Sequence, residues 1–240
     1  MVPLSYHELI DACQEPGCPV CSLAQRAVRR HLEQVIYDSV NDPPTRARLR
    51  ESLGYCYDHA WQLTQAGAST PLGVAFIYRD LLNTVTKVLE EGGYERPSRR
   101  FTFSQVVETV DRNKPSVFTQ TAVQHLTPQK PCPACDHRDN MTTLYAIALM
   151  DALAENDARL RESLEATDGL CVPHLRRAME LARSETAVAN LLAITIPKLH
   201  SLQAELTEFI RKNDYRYTDE KVGDEGNSWL RALCALVGNE

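Results

Sequence analysis

The stretch PGCPVC, residues 16–21, is matched later in the chain by KPCPAC, residues 130–135. Each stretch holds two cysteines that are separated by two residues, with a proline directly after the first cysteine. A single C-x-x-C pair can be a redox dithiol, part of a disulfide framework or half of a metal site. The second copy means that the pair must be interpreted together with whatever else the chain repeats.

A second motif, G-x-C-x-x-H, follows each C-P-x-C. It reads GYCYDH at 54–59 and GLCVPH at 169–174. The two intervening segments, 22–55 and 136–170, have nearly equal lengths of 34 and 35 residues. Because residue types, order and spacing agree in both copies, the sequence contains one unit that is used twice.

The repeat extends beyond the cysteines and histidines. RLRESL occurs at 48–53 and again at 159–164, and a long segment with helical periodicity follows each histidine, at 73–91 and 186–212. Repetition on this scale predicts two copies of one supersecondary unit. The predicted organisation is a helical repeat at 1–91, a connector at 92–115, a second helical repeat at 116–212 and a segment at 213–240 that docks on the repeats.

Hydrophobic periodicity predicts helices throughout both repeats. Residues 22–40 and 139–164 place apolar side chains on one broad face with a period near 3.6. NDPPT at 41–45 predicts a helix end, with Thr45 as the cap of the next helix. Little of the chain shows the period-two alternation of strands. We therefore expect an all-α fold, in which two tandem pseudo-symmetric repeats pack into one domain together with a C-terminal helix.

The ligand types and their spacing favour zinc, with two ions per chain. Zinc prefers four thiolate or imidazole ligands in a tetrahedron. A C-x-x-C turn, or a C-x-x-H at a helix start, presents two ligands on one side, because positions i and i+3 share a face. With each repeat taken as a self-contained unit, one Cys₃His site is predicted from Cys18, Cys21, Cys56 and His59, and the other from Cys132, Cys135, Cys171 and His174.

An iron–sulfur cluster is the main alternative, because cysteine thiolates hold such clusters and histidine replaces cysteine in some of them. A thioredoxin-like dithiol is disfavoured, since that motif belongs to a βαβ context. Cys13, Cys18 and Cys21 match three ligands of a plant-type ferredoxin, but the second repeat has Thr127 in place of Cys13. Cys13 is therefore interpreted as a packing residue, and Cys234 as a core residue of the last helix.

Composition and charge narrow the classes of function. The chain of 240 residues is 43% hydrophobic, which is enough for a sizeable core. Its net charge of −6 argues against a general nucleic-acid binder, and arginine runs such as Arg46, Arg48 and Arg50 are interpreted as solvated helix faces. We see neither a signal peptide nor an apolar run long enough to cross a membrane. A cytoplasmic protein without membrane association is expected.

The phrases CPVC…GYCYDHAW and CPAC…GLCVPHL, with DYRY and DEGNSW near the C-terminus, resemble an uncharacterised bacterial family known only as a domain of unknown function. The resemblance spans nearly the whole chain, and all eight candidate ligands of the pattern are kept. It implies no activity and assigns no catalytic residue.

Two classes of function remain open. In the first, structural zinc ions hold together a non-enzymatic structural or interaction module whose protein partner is unknown, because a closed Cys₃His shell leaves no position for a reactive water. In the second, the sites hold iron–sulfur clusters or exchange metal, and the protein serves electron transfer, redox sensing or metal delivery. Neither a substrate nor an oligomeric state follows from the residues.

Overall fold

The fold is all-α, as the sequence predicts. A computed structural model describes residues 4–67, 70–91, 117–217 and 219–239, and these ranges contain helices and no β-strand. The predicted connector at 92–115 lies outside the described residues. Within the described ranges, no helix is both long enough and apolar enough to cross a membrane.

The α-helices occur in the same order in both repeats. The first repeat contains α1 (Leu4–Ala12), α2 (Pro19–Gln34), α3 (Pro43–Glu51), α4 (Tyr57–Leu63) and α5 (Thr70–Glu91), and a π-helical turn, Val35–Ser39, continues α2. The second contains α6 (Val117–His125), α7 (Pro133–Ala154), α8 (Ala158–Ala166), α9 (Val172–Glu180) and α10 (Glu185–Lys212), and α11 (Ser228–Val237) follows. The repeated order agrees with the repeated sequence, whereas the pseudo-symmetry in space stays a prediction.

Two local predictions are wrong, and side-chain caps explain both. Residues 139–164 form two helices instead of one, because Asn156 has a φ of 56° and the Asp157 carboxylate caps α8 by accepting a hydrogen bond from the backbone N–H of Leu160 at 2.8 Å. The cap of α3 is Asp42, whose carboxylate accepts from the backbone N–H of Thr45 at 2.9 Å. Asp42 has the extended backbone of an N-cap, whereas Thr45 already lies inside the helix.

The chain divides into two compact units. The first comprises residues 1–28 and 137–240, and the second comprises residues 29–136. The boundaries fall within α2 and α7, so these units differ from the two sequence repeats. Each unit has its own buried side chains.

The first unit has a continuous apolar core. Cys13 is part of it, and burial, reinforced by the nearby Cys18, raises the pKa of the Cys13 thiol to about 11. The thiol therefore stays protonated at neutral pH, and the prediction of a packing role is confirmed. Helix α11 packs on α9 and α10, but its Cys234 is only half-buried, so the prediction of a core position there is wrong. The most deeply buried core side chains are Leu9, Leu149, Leu153, Leu160, Leu164 and Leu191.

The second unit packs its side chains around α5. Ile77 and Leu81 of α5 are buried, as is Leu49 of α3. Helix α5 contacts α3, α6 and the π-helical turn. Gly73 permits the close approach to that turn, because a Cβ at this position would lie 2.9 Å from the Cδ1 atom of Ile36.

Candidate metal centres

Both C-P-x-C motifs sit at the start of a helix. Cys18 and Cys132 directly precede α2 and α7, and the prolines of the motifs, Pro19 and Pro133, are the first residues of these helices. Proline suits this position because its φ is fixed near the helical value and its missing N–H would have no partner there. The second cysteine of each motif follows in the first turn, so both sulfurs lie on one side of the helix start.

Both C-x-x-H motifs use the same construction. Cys56 and Cys171 are the N-cap residues of α4 and α9, and both have an extended backbone. His59 and His174 follow in the first turn of their helices, on the same face as the capping cysteines. Every predicted ligand pair is therefore placed by a helix N-terminus, where the positive end of the helix dipole favours thiolate over thiol.

The glycine of each G-x-C-x-x-H motif has a conformational role. Gly54 and Gly169 have φ angles of +97° and +89°. Residues with a side chain rarely adopt this left-handed region, whereas glycine does so without steric cost. The glycine lets the chain turn just before the capping cysteine, which explains why the two copies share it.

The structure brings the eight predicted ligands together in two groups, each inside one compact unit. In each group, the four ligand atoms lie within 4.8 Å of one another. We call these groups cluster 1, in the first unit, and cluster 2, in the second. Cluster 1 consists of Cys18, Cys21, Cys171 and His174, and cluster 2 consists of Cys56, His59, Cys132 and Cys135.

The predicted pairing of ligands within each repeat is therefore wrong. The C-x-x-C of each repeat meets the C-x-x-H of the other repeat. Helix lengths give the physical reason. At a rise of about 1.5 Å per residue, the helical segment from Cys21 to Ser39 is about 27 Å long, whereas the nine residues of α3 span only about 13 Å. Helices α7 and α8 show the same mismatch in length, so the helix before each C-x-x-H is too short to retrace the helix that follows its own C-x-x-C.

Cluster 1 has the dimensions of a tetrahedral zinc site. The Nδ1 atom of His174 lies 3.1 Å from the sulfur of Cys171, 3.3 Å from that of Cys21 and 3.5 Å from that of Cys18. The sulfurs of Cys21 and Cys171 are 3.7 Å apart. A zinc ion with Zn–S near 2.3 Å and Zn–N near 2.0–2.1 Å separates sulfurs by about 3.8 Å and sulfur from nitrogen by about 3.5 Å. The four ligands therefore fit one zinc ion.

Cluster 2 repeats this geometry. The Nδ1 atom of His59 lies 3.2 Å from the sulfur of Cys56, 3.3 Å from that of Cys135 and 3.6 Å from that of Cys132. The sulfurs of Cys56 and Cys135 are 3.7 Å apart. Ligands of an iron–sulfur cluster bind different iron atoms and surround the whole cluster. Four ligand atoms this close together fit a single ion better.

Cluster 1 is closed off from solvent by the C-terminal segment. Its three cysteines are 1–6% exposed. The backbone N–H of Asn239 donates to the sulfur of Cys21 at 3.5 Å, and Gln25 holds this segment by donating to the Asn239 carbonyl at 2.9 Å. Gly238 makes the approach possible, because its φ is +97° and a Cβ there would lie 3.2 Å from the sulfur of Cys21. Residues 238–239 thus form a lid that also supplies a hydrogen bond to a candidate thiolate.

A polar network fixes the segments that surround cluster 1. The Asp168 carboxylate accepts from the backbone N–H of Gly17 at 3.0 Å and from Nε of Arg231 at 3.0 Å. Arg231 also pairs with Glu205 at 2.5 Å. The network therefore joins the turn before CPVC to the segment before GLCVPH and to helices α10 and α11.

The close approach of the ligand groups in cluster 1 shifts the pKa values of three of them. Hydrogen bonds from Cys171 and Cys21 hold the pKa of the Cys18 thiol well below its usual range, while hydrogen bonds with Cys18 and Cys21 raise the pKa of Cys171. Burial lowers the pKa of His174, but hydrogen bonds with Cys18 and Cys21 outweigh this effect and raise it to about 9. Cys171 and His174 therefore favour their protonated forms at neutral pH, and a divalent cation can take the place of those protons.

Cluster 2 is attached to the end of α3. The backbone N–H groups of Gln129 and Lys130 donate to the carbonyl of Glu51 at 2.8 and 3.2 Å, and Arg48 of α3 pairs with Asp136, directly after CPAC. These contacts place the C-x-x-C motif beside α4. Both partners of the ion pair are partly exposed, so this pair contributes little to stability. The backbone hydrogen bonds therefore contribute more to holding the segment against α3.

The ligands of cluster 2 are more exposed than those of cluster 1. His59 is buried, whereas the three cysteines are half-buried. Burial, together with the nearby Cys56 and Cys132, raises the pKa of the Cys135 thiol to about 12. The hydroxyl of Tyr55 is buried without a hydrogen-bond partner among the described residues, and burial together with the neighbouring Cys132 raises its pKa.

Sequence reasoning found all eight ligand residues but missed the groups around them. Asp168 and Asn239 act through contacts with residues that are distant in the sequence, and no local motif marks them. Gly238 does carry a signal, because glycine after the last apolar residue of a helix is typical of a helix C-terminus. That signal predicts a turn, but it does not predict a lid over two sulfurs.

Comparison with known proteins places the chain in a family. The family of unknown function DUF6062 matches residues 6–240, and the chain therefore belongs to it. An uncharacterized 23.9 kDa protein in the xynA 3' region of Caldicellulosiruptor sp. (strain Rt8B.4) is 26% identical over 233 residues, which cover 97% of this chain and 100% of the relative. No solved structure matches the chain.

Proposed function

We propose that this member of the DUF6062 family is a non-enzymatic zinc protein that holds one structural zinc ion in each cluster. The observation that carries the proposal is the ligand geometry, with sulfur–sulfur distances of 3.7 Å and sulfur–nitrogen distances of 3.1–3.6 Å in both clusters. These distances support tetrahedral coordination of one ion by three thiolates and one imidazole.

A structural role is supported by the closed ligand set. Four protein ligands complete the tetrahedron of zinc, so no position remains for a water that could be activated for hydrolysis. In each cluster, the ion would fasten two helix starts that are far apart in the sequence. The protein would then act by binding a partner or by shaping a larger assembly, without chemistry at the metal.

A cytoplasmic location is part of the proposal. It is supported by the unpaired state of the cysteines, since free thiols and zinc thiolates are typical of reducing compartments. Location is testable by fractionation of cells that express a tagged chain.

Metal content tests the proposal most directly. Protein purified without oxygen should contain about two zinc ions per chain and should be colourless. Iron with acid-labile sulfide would overturn the zinc assignment, and iron without sulfide would point to single iron ions in the same ligand sets.

A cysteine variant then tests the exchanged pairing. Cys56→Ser should remove one of the two ions and should make Cys132 and Cys135 reactive towards a thiol alkylating reagent, while Cys18 and Cys21 stay protected. Increased alkylation of Cys18 and Cys21 would instead support pairing within a repeat. Mass spectrometry of the labelled peptides distinguishes the two outcomes, and the Cys13→Ser variant serves as the control that keeps both ions.

A further inference from the structure

An open cavity of about 340 Å³ lies in the second unit, between the start of α3 and the middle of α5. Its lining is unexpected for a chain with a net charge of −6, because three guanidinium groups stand against one carboxylate. The polar groups that line it are Asn41, Arg46, Arg50, Arg79, Asp80 and Asn83.

Arg46 is a fixed part of the cavity wall. Its Nε atom donates to the carbonyl of Val40 at 2.7 Å, and its Nη1 atom donates to the carbonyl of Phe76 at 3.0 Å. Its guanidinium also lies 3.3 Å from Asp80, and the side chain is only 15% exposed. The run of arginines at the start of α3 is therefore more than a solvated helix face, since this member of the run is held in place.

Asp80 offsets only part of the positive charge. Arg50 donates to the Oδ2 atom of Asp80 at 2.8 Å, and this is the same oxygen that faces Arg46. The guanidinium of Arg79 lies 5.5 Å from the centre of the Phe76 ring, and no carboxylate pairs with it among the described residues. One carboxylate thus serves two arginines, and a third arginine adds its charge at the cavity edge.

We propose that this cavity binds the phosphate group of a small molecule. Guanidinium groups form paired, charge-assisted hydrogen bonds with phosphate oxygens, and the amides of Asn41 and Asn83 can bind neutral parts of the same ligand. The volume is near the lower end of the range for small-molecule sites, roughly 300–1,000 Å³. The N-terminus of α3 is not the source of the attraction, because Asp42 already caps it.

Titration calorimetry with inorganic phosphate tests this site on the full, zinc-loaded chain after free zinc has been removed. Acetate and chloride are titrated at the same ionic strength. Phosphate is expected to bind about tenfold more tightly than acetate, because its additional oxygens and charge let it accept more charge-assisted hydrogen bonds from the guanidinium groups. Phosphate that binds no better than chloride would overturn the proposal, and acetate that equals phosphate would overturn the choice of phosphate.

Variants locate the binding. Arg79→Ala should weaken phosphate binding by about tenfold, because it removes charge-assisted hydrogen bonds, and Arg79→Lys should restore part of the loss. Arg50→Gln provides a second variant in case Arg79→Ala does not fold. Arg46 is unsuitable, because it holds two backbone carbonyls. Arg176→Ala, at a 78% exposed side chain on α9, is the control and should bind like the unaltered chain. Unchanged binding in both Arg79→Ala and Arg50→Gln would refute the site.

Discussion

Clusters 1 and 2 have the same ligands, the same spacing and nearly the same distances, but they differ in what covers them. The cysteines of cluster 1 belong to the apolar core of the first unit and lie under the lid formed by Gly238 and Asn239. The cysteines of cluster 2 are half-buried. For the proposed zinc sites, ligand geometry would therefore determine which metal binds, whereas the surrounding chain would determine how easily the metal leaves. We expect cluster 1 to be the more stable site and cluster 2 the more reactive one.

The largest expected effect comes from removing a ligand of cluster 1. Cys171→Ser should lower the melting temperature by roughly 8–16 °C, if about 4 kcal/mol is lost and each kcal/mol corresponds to about 2–4 °C in a chain of this size. Cys56→Ser, the corresponding change in cluster 2, should cost less because that cysteine is only half-buried. Thermal melts followed by circular dichroism measure both shifts. Equal shifts would mean that the difference in burial has no energetic consequence.

The rate of metal loss should also distinguish the clusters. With excess chelator and a chromogenic zinc indicator, we expect one ion to leave at least about tenfold faster than the other, because solvent reaches the sulfurs of cluster 2 more easily. The Cys56→Ser variant should lack the fast phase, which assigns that phase to cluster 2. A single phase that contains both ions would contradict the comparison.

A substitution in the lid should change the zinc affinity of cluster 1 alone. In Gly238→Ala, the added Cβ would meet the sulfur of Cys21 and the backbone would be strained at its φ of +97°. We expect zinc affinity at cluster 1 to fall by roughly tenfold, the lower end of the effect of altering groups around metal ligands. Competition with a chelator measures the affinity. Val237→Ala, at an exposed side chain one residue earlier, is the matched control and should leave both affinities unchanged.

The smallest effect is expected from the network around Asp168. Asp168→Asn weakens its pairing with Arg231 but keeps an oxygen that can accept from Gly17. Because both charged side chains are partly exposed, the loss should be about 0.5–1 kcal/mol, or roughly 1–4 °C in melting temperature. Asp139→Asn, at a highly exposed pair with Arg138, should show no shift. A drop as large as that of Cys171→Ser would show that the network is essential for the metal site itself.

The sequence alone supplied the helices and the ligand residues, because both depend on local spacing. Periodicity predicted α2, α5 and α10, and C-x-x-C with C-x-x-H predicted eight ligands that the structure gathers into clusters. Which C-x-x-C meets which C-x-x-H depends instead on the lengths of the helices between them. The repeated sequence favoured the simpler assumption that both motifs of one repeat bind the same ion. Comparing the lengths of α2 and α3 would have argued against that assumption. The lid at Gly238 depends on tertiary contact and has no counterpart in local spacing.

The exchange of motifs between repeats also has a consequence for synthesis of the chain. Cys21 meets Cys171, which lies 150 residues later, whereas Cys56 meets Cys135 after 79 residues. At about 5–20 residues per second, the ribosome needs roughly 8–30 s to make the segment that separates the cluster 1 partners. Cys18 and Cys21 of the nascent protein therefore remain an incomplete ligand set during this time. All four ligands of cluster 2 have been synthesised before Cys171, so cluster 2 can assemble first. Cluster 2 would then bind its metal first. Cluster 1, the better-protected site, would bind its metal last.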